Sequence, residues 1–483
     1  MSNLEADSNF LKRSVILNIF GTVLKVCGPL LTILLARIFG AAEFGIFVSM
    51  QTLLLTIARS STLGLDKGLY WYLPQNKLLN RPSYSGIMES FWLTGVIALL
   101  CTIIIFIGSF TPLISKEFPW YALSLVFYSL SYILSNSSEG NRKPQNAIFI
   151  NSFLVAVLAP LSSIILHFLK IPHALPLGLL IGQVGGFIVH AVLVRKQFPE
   201  MPLVPKNRLS KELLIYSIPL GVNEFVVSFL IRSGLWMVLV FLGPEKAGAY
   251  GIMVTVSNAL QTIRVGFNPI LTPVVAGMNK ERLHTDLKPV FTYCVSMITL
   301  IQLVVGFFIV LFPEEILSIA GSDFIVQPET LGILLLVHLL SGFFGLTSTI
   351  MNGIGKSLYT LKMNIVSLVI ALVSGYFLVP KFGLVGAALS MLAYNLVFMI
   401  WNNAYLAILK LWPYSIKLIP QLLWMFGLIL FYILLNLGTF SPSLLEKIGI
   451  YVIILLALGG QFLLQKKNKQ TKDRSRQTVL IFK

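Results

Sequence analysis

Fourteen long apolar runs dominate this chain, and they leave few folds open to it. They lie near residues 14–38, 44–72, 86–111, 119–137, 145–169, 174–194, 212–242, 247–277, 288–312, 328–352, 358–379, 383–409, 417–437 and 447–465. A helix needs roughly 20 apolar residues to cross a bilayer, and in lipid a helix satisfies all of its own backbone polar groups. Only 11% of the 483 residues are charged, against about 25% in an ordinary soluble domain. The expected fold is an all-α polytopic membrane protein with about fourteen transmembrane helices. The first 13 residues are polar and the run after them has no small-residue cleavage site, so it reads as a retained first span and not a signal peptide. Cys27, Cys101 and Cys294 all sit inside apolar runs, with neither metal-ligand nor disulfide spacing, and read as small core residues.

The net charge of +17 is informative through its distribution. With the amino terminus in the cytoplasm, 25 of the 36 Lys and Arg residues fall on that side, from Lys12 and Arg13 to the seven between Lys466 and Lys483. Six fall on the other: Arg37, Lys116, Lys170, Lys246, Lys381 and Lys447. This asymmetry follows the positive-inside rule and places both termini in the cytoplasm. The basic tail, residues 467–483, lacks interleaved aromatics, so it suits anionic lipid headgroups and not nucleic acid.

The stretch "NGIGKS" at 352–357 ends like a phosphate-binding loop. A P-loop needs a glycine five positions before Gly355, and Ile350 stands there. Its setting decides the matter, because the chain repeats itself. "EGNRKPQNAIFIN" and "NGIGKSLYTLKMN" align at an offset of 213, pairing Gly140 with Gly353, Lys143 with Lys356 and Asn151 with Asn364. "LLARIFGAAEFGIF" and "VLVFLGPEKAGAYG" align at 203, pairing Gly40 with Gly243 and Gly45 with Gly248. "NGIGKS" is therefore one of two equivalent cytoplasmic turns, with no nucleotide expected at it. Spans one to six and seven to twelve form two copies of a six-helix unit, and the even number makes the repeat parallel. The expected organisation is a lobe over 1–205, a second over 206–411, two additional helices over 412–466 and the tail over 467–483, with a central cleft between the lobes.

Ionisable residues at membrane depth usually face a bundle interior or a water-filled cavity. Here they are Lys25, Arg59, Asp66, Lys67, Glu89, Glu224, Arg232 and Arg264, five cations against three anions. They gather in spans one to three, seven and eight. Aligning Gly64 with Gly266 puts Arg59 and Arg264 a few residues apart in the two copies. A cationic cleft in apolar surroundings suits an anionic substrate, and arginine adds multi-donor contacts to phosphate. Lys25, Arg59, Arg232 and Arg264 are the candidate substrate-binding residues. Asp66 and Glu224 are candidates for coupling a proton or cation, or for neutralising nearby arginines. Lys67 and Glu89 fit the interface, where long side chains snorkel. Removing Arg59 or Arg264 is expected to leave the fold intact. Of the five histidines only His338 looks deep in a span, and none has metal-ligand spacing, so no metal, cofactor or catalytic residue is assigned. Gly178, Gly182 and Gly186 mark a close-packing face of span six. Pro29 and Pro219 stand in corresponding spans beside the charges, as hinges or static kinks.

"LLARIFGAAEFGIF", "LGLDKGLYWYLP", "MNGIGKSLYTLKMNIVS" and "LVPKFGLVGAALS", in this order, resemble the recurrent segments of the polysaccharide transporters. These are the lipid-linked oligosaccharide flippases of the MOP superfamily, which also holds the MATE drug exporters and the lipid II flippases. The resemblance covers residues 11–409 and implies two six-helix bundles, two extra helices and a central cationic cleft. It implies transport of an undecaprenyl-pyrophosphate-linked O-antigen or similar repeat unit across the bacterial inner membrane, with H+ or Na+ as coupling ion. Implied partners are membrane lipids, a polysaccharide polymerase and a chain-length regulator. Cationic drugs suit an anionic cleft, which argues against a MATE-like exporter. A polymerase, ligase or glycosyltransferase needs a sizeable external active site. The longest external loop, 313–327, offers only Glu314, Glu315 and Asp323, with no basic partner.

Overall fold

A computed structural model of the chain describes residues 27–78, 81–108, 118–141, 143–205, 209–268, 271, 275, 278, 283–354, 357–436 and 442–461. Lys25, Pro269, Gly355, Lys356 and the basic tail lie outside the described residues.

Every regular element among them is helical. In chain order these are α1 (Cys27–Ser61), α2 (Leu65–Leu78), α3 (Ile87–Gly108), α4 (Phe118–Ala122), α5 (Leu125–Gly140), α6 (Pro144–Phe149), α7 (Val155–Phe168) and α8 (Ala174–Gln197). Then come α9 (Lys211–Leu242), α10 (Pro244–Val265), α11 (Leu283–Leu311), α12 (Pro313–Ser318), α13 (Glu329–Phe344), α14 (Thr347–Gly353), α15 (Ser357–Phe382), α16 (Leu384–Ile408) and α17 (Ile419–Asn436). The last is α18 (Leu444–Gln461). Where they lie among the described residues, the fourteen expected spans each fall on one or two of these helices; 14–26 of the first and most of 269–277 of the eighth lie outside them. Ten segments are long and apolar enough to cross a membrane, and Val155–Phe168 and Glu329–Phe344 are shorter apolar helices. The chain is a multi-pass membrane protein.

Two breaks shape the region that carries the charges. Helix α1 holds spans one and two across a sharp turn at Gly40 (φ 77, ψ 169). Its repeat mate Gly243 (φ 87, ψ 175) makes the same turn between α9 and α10. Both need the left-handed backbone that glycine adopts without steric cost. Span two, read from the sequence as continuous, breaks again at Thr62–Gly64, where Leu63 (φ 49) and Gly64 (φ 75) leave the helix. The close approach of α9 accounts for glycine there: a Cβ on Gly64 would lie 2.2 Å from the carbonyl oxygen of Ser217.

By compactness the chain divides into one unit of Met1–Val256, Leu317–Gln327 and Leu358–Phe398, and a second of Ser257–Ile316, Pro328–Ser357 and Met399–Lys483. In the first unit, the expected glycine face of α8 packs on α7. Added Cβ atoms on Gly178, Gly182 and Gly186 would meet Ser163, Ala159 and Val155 at 2.1–2.5 Å. Such contact lets two backbones approach closely, the main source of helix association in lipid. In the same unit α9 runs antiparallel to α1 and α2. Successive contacts join Gly45 to Pro244 and Gly64 to Gly221, and between them Trp236 Nε1 donates to Thr52 Oγ1 at 3.0 Å. In the second unit α17 docks on α13, with the Tyr432 hydroxyl donating to the Glu329 carbonyl at 2.6 Å. The Tyr432 ring lies over Gly332, where a Cβ would be 2.0 Å from it.

Candidate functional site

Helix α1 ends just past Arg59, which stands nineteen residues beyond Gly40, about 28 Å along a helix of ~1.5 Å rise per residue. The Thr62–Gly64 turn then folds Asp66, seven residues on, back toward it. The Arg59 Nη1 atom reaches Asp66 Oδ2 at 3.4 Å and, on the facing helix α9, Glu224 Oε2 at 3.4 Å. Its guanidinium carbon lies 4.1 Å from the centre of the Tyr132 ring on α5. One arginine therefore joins carboxylates from both sequence repeats and an aromatic face, a geometry suited to its planar, weakly hydrated cation.

Asp66 is 1% exposed, so its charge needs partners. Thr62 Oγ1 donates to its Oδ1 at 2.9 Å, and Asn136 Nδ2 to its Oδ2 at 3.5 Å. Asn136 also donates to the Tyr132 carbonyl at 3.0 Å and accepts from Lys67 Nζ at 3.5 Å. Lys67, expected to snorkel at the interface, is thus tied into the network through Asn136. Glu89 caps a helix instead, accepting from the Gly86 N–H at 3.1 Å ahead of α3. Arg232, eight residues beyond Glu224 on α9, bonds its own helix: Nη1 donates to the Ser228 carbonyl and to Ser228 Oγ, each at 2.9 Å. Among the described residues no carboxylate forms an ion pair with Arg232.

The sequence missed Glu139. It lies half-buried on α5, past the expected end of span four, and interacts electrostatically with Lys67, Arg59 and Asp66. Counting it narrows the excess of cations from five against three to five against four. Around Arg59 in the first unit, Arg59, Lys67 and Arg232 face Asp66, Glu139 and Glu224, three charges of each sign. The signal was present as the spacing Tyr128, Tyr132, Asn136, Glu139, which puts one polar stripe on a helix face. Trp71 and Tyr72 also have fixed roles: Trp71 stacks on Tyr216 with ring centres 4.2 Å apart, and the Tyr72 hydroxyl accepts from Arg81 at 3.0 Å. His190 is as fully buried as His338, at 1% and 3% exposure. His190 Nε2 lies 3.3 Å from Asn151 Oδ1, beside the π-helical turn Ile150–Leu154.

Arg264 belongs to the second unit. Its Nη1 donates to the Gly345 carbonyl at 3.4 Å, and among the described residues no carboxylate pairs with it. The loop holding Glu315 does have a basic partner, which the sequence did not reveal: Lys447 Nζ on α18 donates to Glu315 Oε1 at 2.6 Å. Around Arg59 and Arg232, guanidinium groups and carboxylates share one region of the first unit, where charge-assisted hydrogen bonds are strong.

The profile of the family described as polysaccharide biosynthesis protein matches residues 11–279, and that of the MatE family matches residues 219–377. No curated protein matches in sequence. Among solved structures, an inward-facing multidrug resistance MATE family transporter of the MOP superfamily aligns with TM-score 0.64 at 14% identity, covering 82% of this chain and 99% of that one. The lipid II flippase MurJ, in an inward closed conformation, aligns with TM-score 0.63 at 14% identity, covering 93% of this chain and 99% of that one. A MOP superfamily transporter from Pyrococcus furiosus, described as having a binding pocket of reverse polarity, aligns with TM-score 0.57 at 16% identity over 83% of this chain and 96% of that one. The chain belongs to the polysaccharide biosynthesis protein family, and its fold is that of the MOP superfamily transporters and the MurJ flippase it aligns with.

Proposed function

We propose that this protein is a flippase, not an enzyme, and that it carries a polyprenyl-pyrophosphate-linked oligosaccharide from the cytoplasmic to the outer leaflet of the bacterial inner membrane. The O-antigen or a related repeat unit on undecaprenyl pyrophosphate is the expected cargo. Both termini are cytoplasmic in this reading, and a polymerase with its chain-length regulator takes up the product. The observation that carries it is Arg232, half-buried on α9, hydrogen-bonded to Ser228 and in no ion pair among the described residues, beside an Arg59 shared between two carboxylates. A pyrophosphate offers the guanidinium groups strong, charge-assisted acceptors. It competes with Asp66 and Glu224 for Arg59, and neutralising a carboxylate by H+ or Na+ favours the substrate. Lys25 and Arg264 complete the set of candidate cations.

The test is complementation of a strain lacking the transporter, reading surface polysaccharide by gel and membrane level of the protein by blot. Arg232→Ala and Arg264→Ala are expected to insert normally and to lose polymer. Wild-type polymer with both variants would exclude the reading. A second reading, a MATE-like antiporter for cations, has one observation in its favour: the three carboxylates Asp66, Glu139 and Glu224 equal the cations around them. Drug susceptibility of the same strains separates the two.

A further inference from the structure

The linker that joins the two sequence repeats leaves α8 at Phe198 and enters α9 at Lys211, all within the first unit. Its start is pinned. Phe198 and Met201 are buried in a core with Leu65, Ile87 and Leu213, and the Arg195 guanidinium donates to the Met201 carbonyl. Two residues on, the chain turns its apolar side chains outward: Leu203 is 72% exposed and Val204 64%. A single exposed aliphatic residue is ordinary. Here two stand side by side between Pro202 and Pro205, on a tip that buries neither.

Trp92 sets where that tip lies. Its Nε1 donates to the Leu203 carbonyl at 3.1 Å. Trp92 is exposed and opens the stripe Trp92, Val96, Leu99, Ile103 and Ile107, which recurs at helical spacing and is the face that the apolar span α3 turns to lipid. Standing near the start of α3, Trp92 has the level at which tryptophans anchor membrane proteins at the interface. The backbone of the tip suits such a place. Pro202 and Pro205 have no N–H to satisfy, and the Leu203 carbonyl has its donor in Trp92, so little of it needs water. The exposed charges nearby are mostly positive. Arg195 and Lys196 end α8, Lys211 begins α9, and Lys143 lies two residues past Asn141, which bonds Gln197. Against them stand Glu200 and Glu212, and Glu212 already pairs with Arg81.

We propose that the inter-repeat linker is a membrane-docking element, in which Leu203 and Val204 enter the headgroup region beside Trp92 while Lys143, Lys196 and Lys211 bind anionic phospholipid there. Apolar insertion and cationic attraction act together, as they do for segments that lie on a bilayer surface. The junction of the two repeats is thereby tied to one leaflet. Which leaflet rests on the cytoplasmic placement of the linker in the proposed function; the docking itself does not depend on the cargo.

The test places a nitrobenzoxadiazole fluorophore on Leu203→Cys in the full chain, with Cys27, Cys101 and Cys294 replaced by Ser. The labelled protein is put in nanodiscs of phosphatidylcholine, or of equal parts phosphatidylcholine and phosphatidylglycerol, with spin-labelled phosphatidylcholine as the quencher. Quenching is expected in both discs and is expected to be stronger in the anionic ones. The triple variant Lys143→Gln, Lys196→Gln, Lys211→Gln, at exposed positions and so mild for the fold, is expected to lose that increment. The corresponding shift in the docking equilibrium is at least about fivefold, the effect of one cation near an anionic surface. Val204→Asp is expected to cut quenching in both discs. A label that stays unquenched overturns the proposal, as does quenching indifferent to phosphatidylglycerol or to the three lysines. Nanodiscs expose both faces, so this result does not rest on sidedness. Reaction of the Leu203→Cys thiol with an impermeant maleimide on intact cells would overturn the cytoplasmic placement alone.

Discussion

Gly45 and Gly248 make a reciprocal contact. A Cβ on Gly45 would lie 1.8 Å from the Pro244 carbonyl oxygen, and one on Gly248 would lie 2.1 Å from the Ala41 carbonyl oxygen. Residues 41 and 244, like 45 and 248, are 203 positions apart, so each repeat offers the other the same surface. The logic is that of a two-fold interface, where one patch meets its own copy. Substituting Ala at either position forces backbones apart, and overpacking of this kind costs about 1–3 kcal/mol. Gly45→Ala and Gly248→Ala are each expected to lower the melting temperature in detergent. The double variant is expected to fall short of the sum, because both changes separate the same two turns.

The glycine face of α8 gives a second stability test with a built-in control. Gly182→Ala places a Cβ 2.5 Å from that of Ala159, with an expected cost of about 1–3 kcal/mol. Gly427 has open space around its Cβ position, so Gly427→Ala is expected to be neutral or to stabilise by up to about 1 kcal/mol through helix propensity. Thermal melts of the two purified variants compare them directly.

The ion network changes the expectation for Arg59. The sequence reading had Arg59→Ala leaving the fold intact. The structure puts Asp66 at 1% exposure with Arg59 as its cation, and removing one partner of a buried pair costs about 3–5 kcal/mol. Arg59→Ala is therefore expected to destabilise, and Asp66→Asn in the same chain is expected to restore most of the loss. Among the described residues no carboxylate pairs with Arg264, so Arg264→Ala is expected to destabilise less than Arg59→Ala.

Arg81 and Glu212 form the opposite case. They pair at 3.1 Å with side chains 37% and 44% exposed. Exposed pairs contribute about 0.2–1 kcal/mol. Arg81→Glu is expected to leave the melting temperature nearly unchanged, with the charge swap Arg81→Glu, Glu212→Arg returning to wild type in a double-mutant cycle.

Much of this architecture could be read before any coordinates. Apolar runs give the helices directly, because lipid permits little else, and the offset of 203 pairs Gly40 with Gly243, which share the same left-handed turn. The site was read less completely. Arg59, Asp66, Glu224 and Arg232 were found by depth alone, but a linear sequence does not show that Arg59 takes two acids at once. That depends on the break at Thr62–Gly64, which has no proline to announce it, and on α9 lying against α1. Glu139 was lost because span four was ended at residue 137, two positions short.

The central claim is transport of a diphosphate-linked lipid through residues paired across the repeats. The most direct measurement reconstitutes the full chain in proteoliposomes loaded with a fluorescent polyprenyl-pyrophosphate oligosaccharide and follows its exposure to an external quencher. Wild type is expected to move the lipid between leaflets, and Arg232→Ala, inserted to the same level, is expected to lose at least tenfold in rate. Equal rates for wild type, Arg232→Ala and protein-free vesicles would contradict the account.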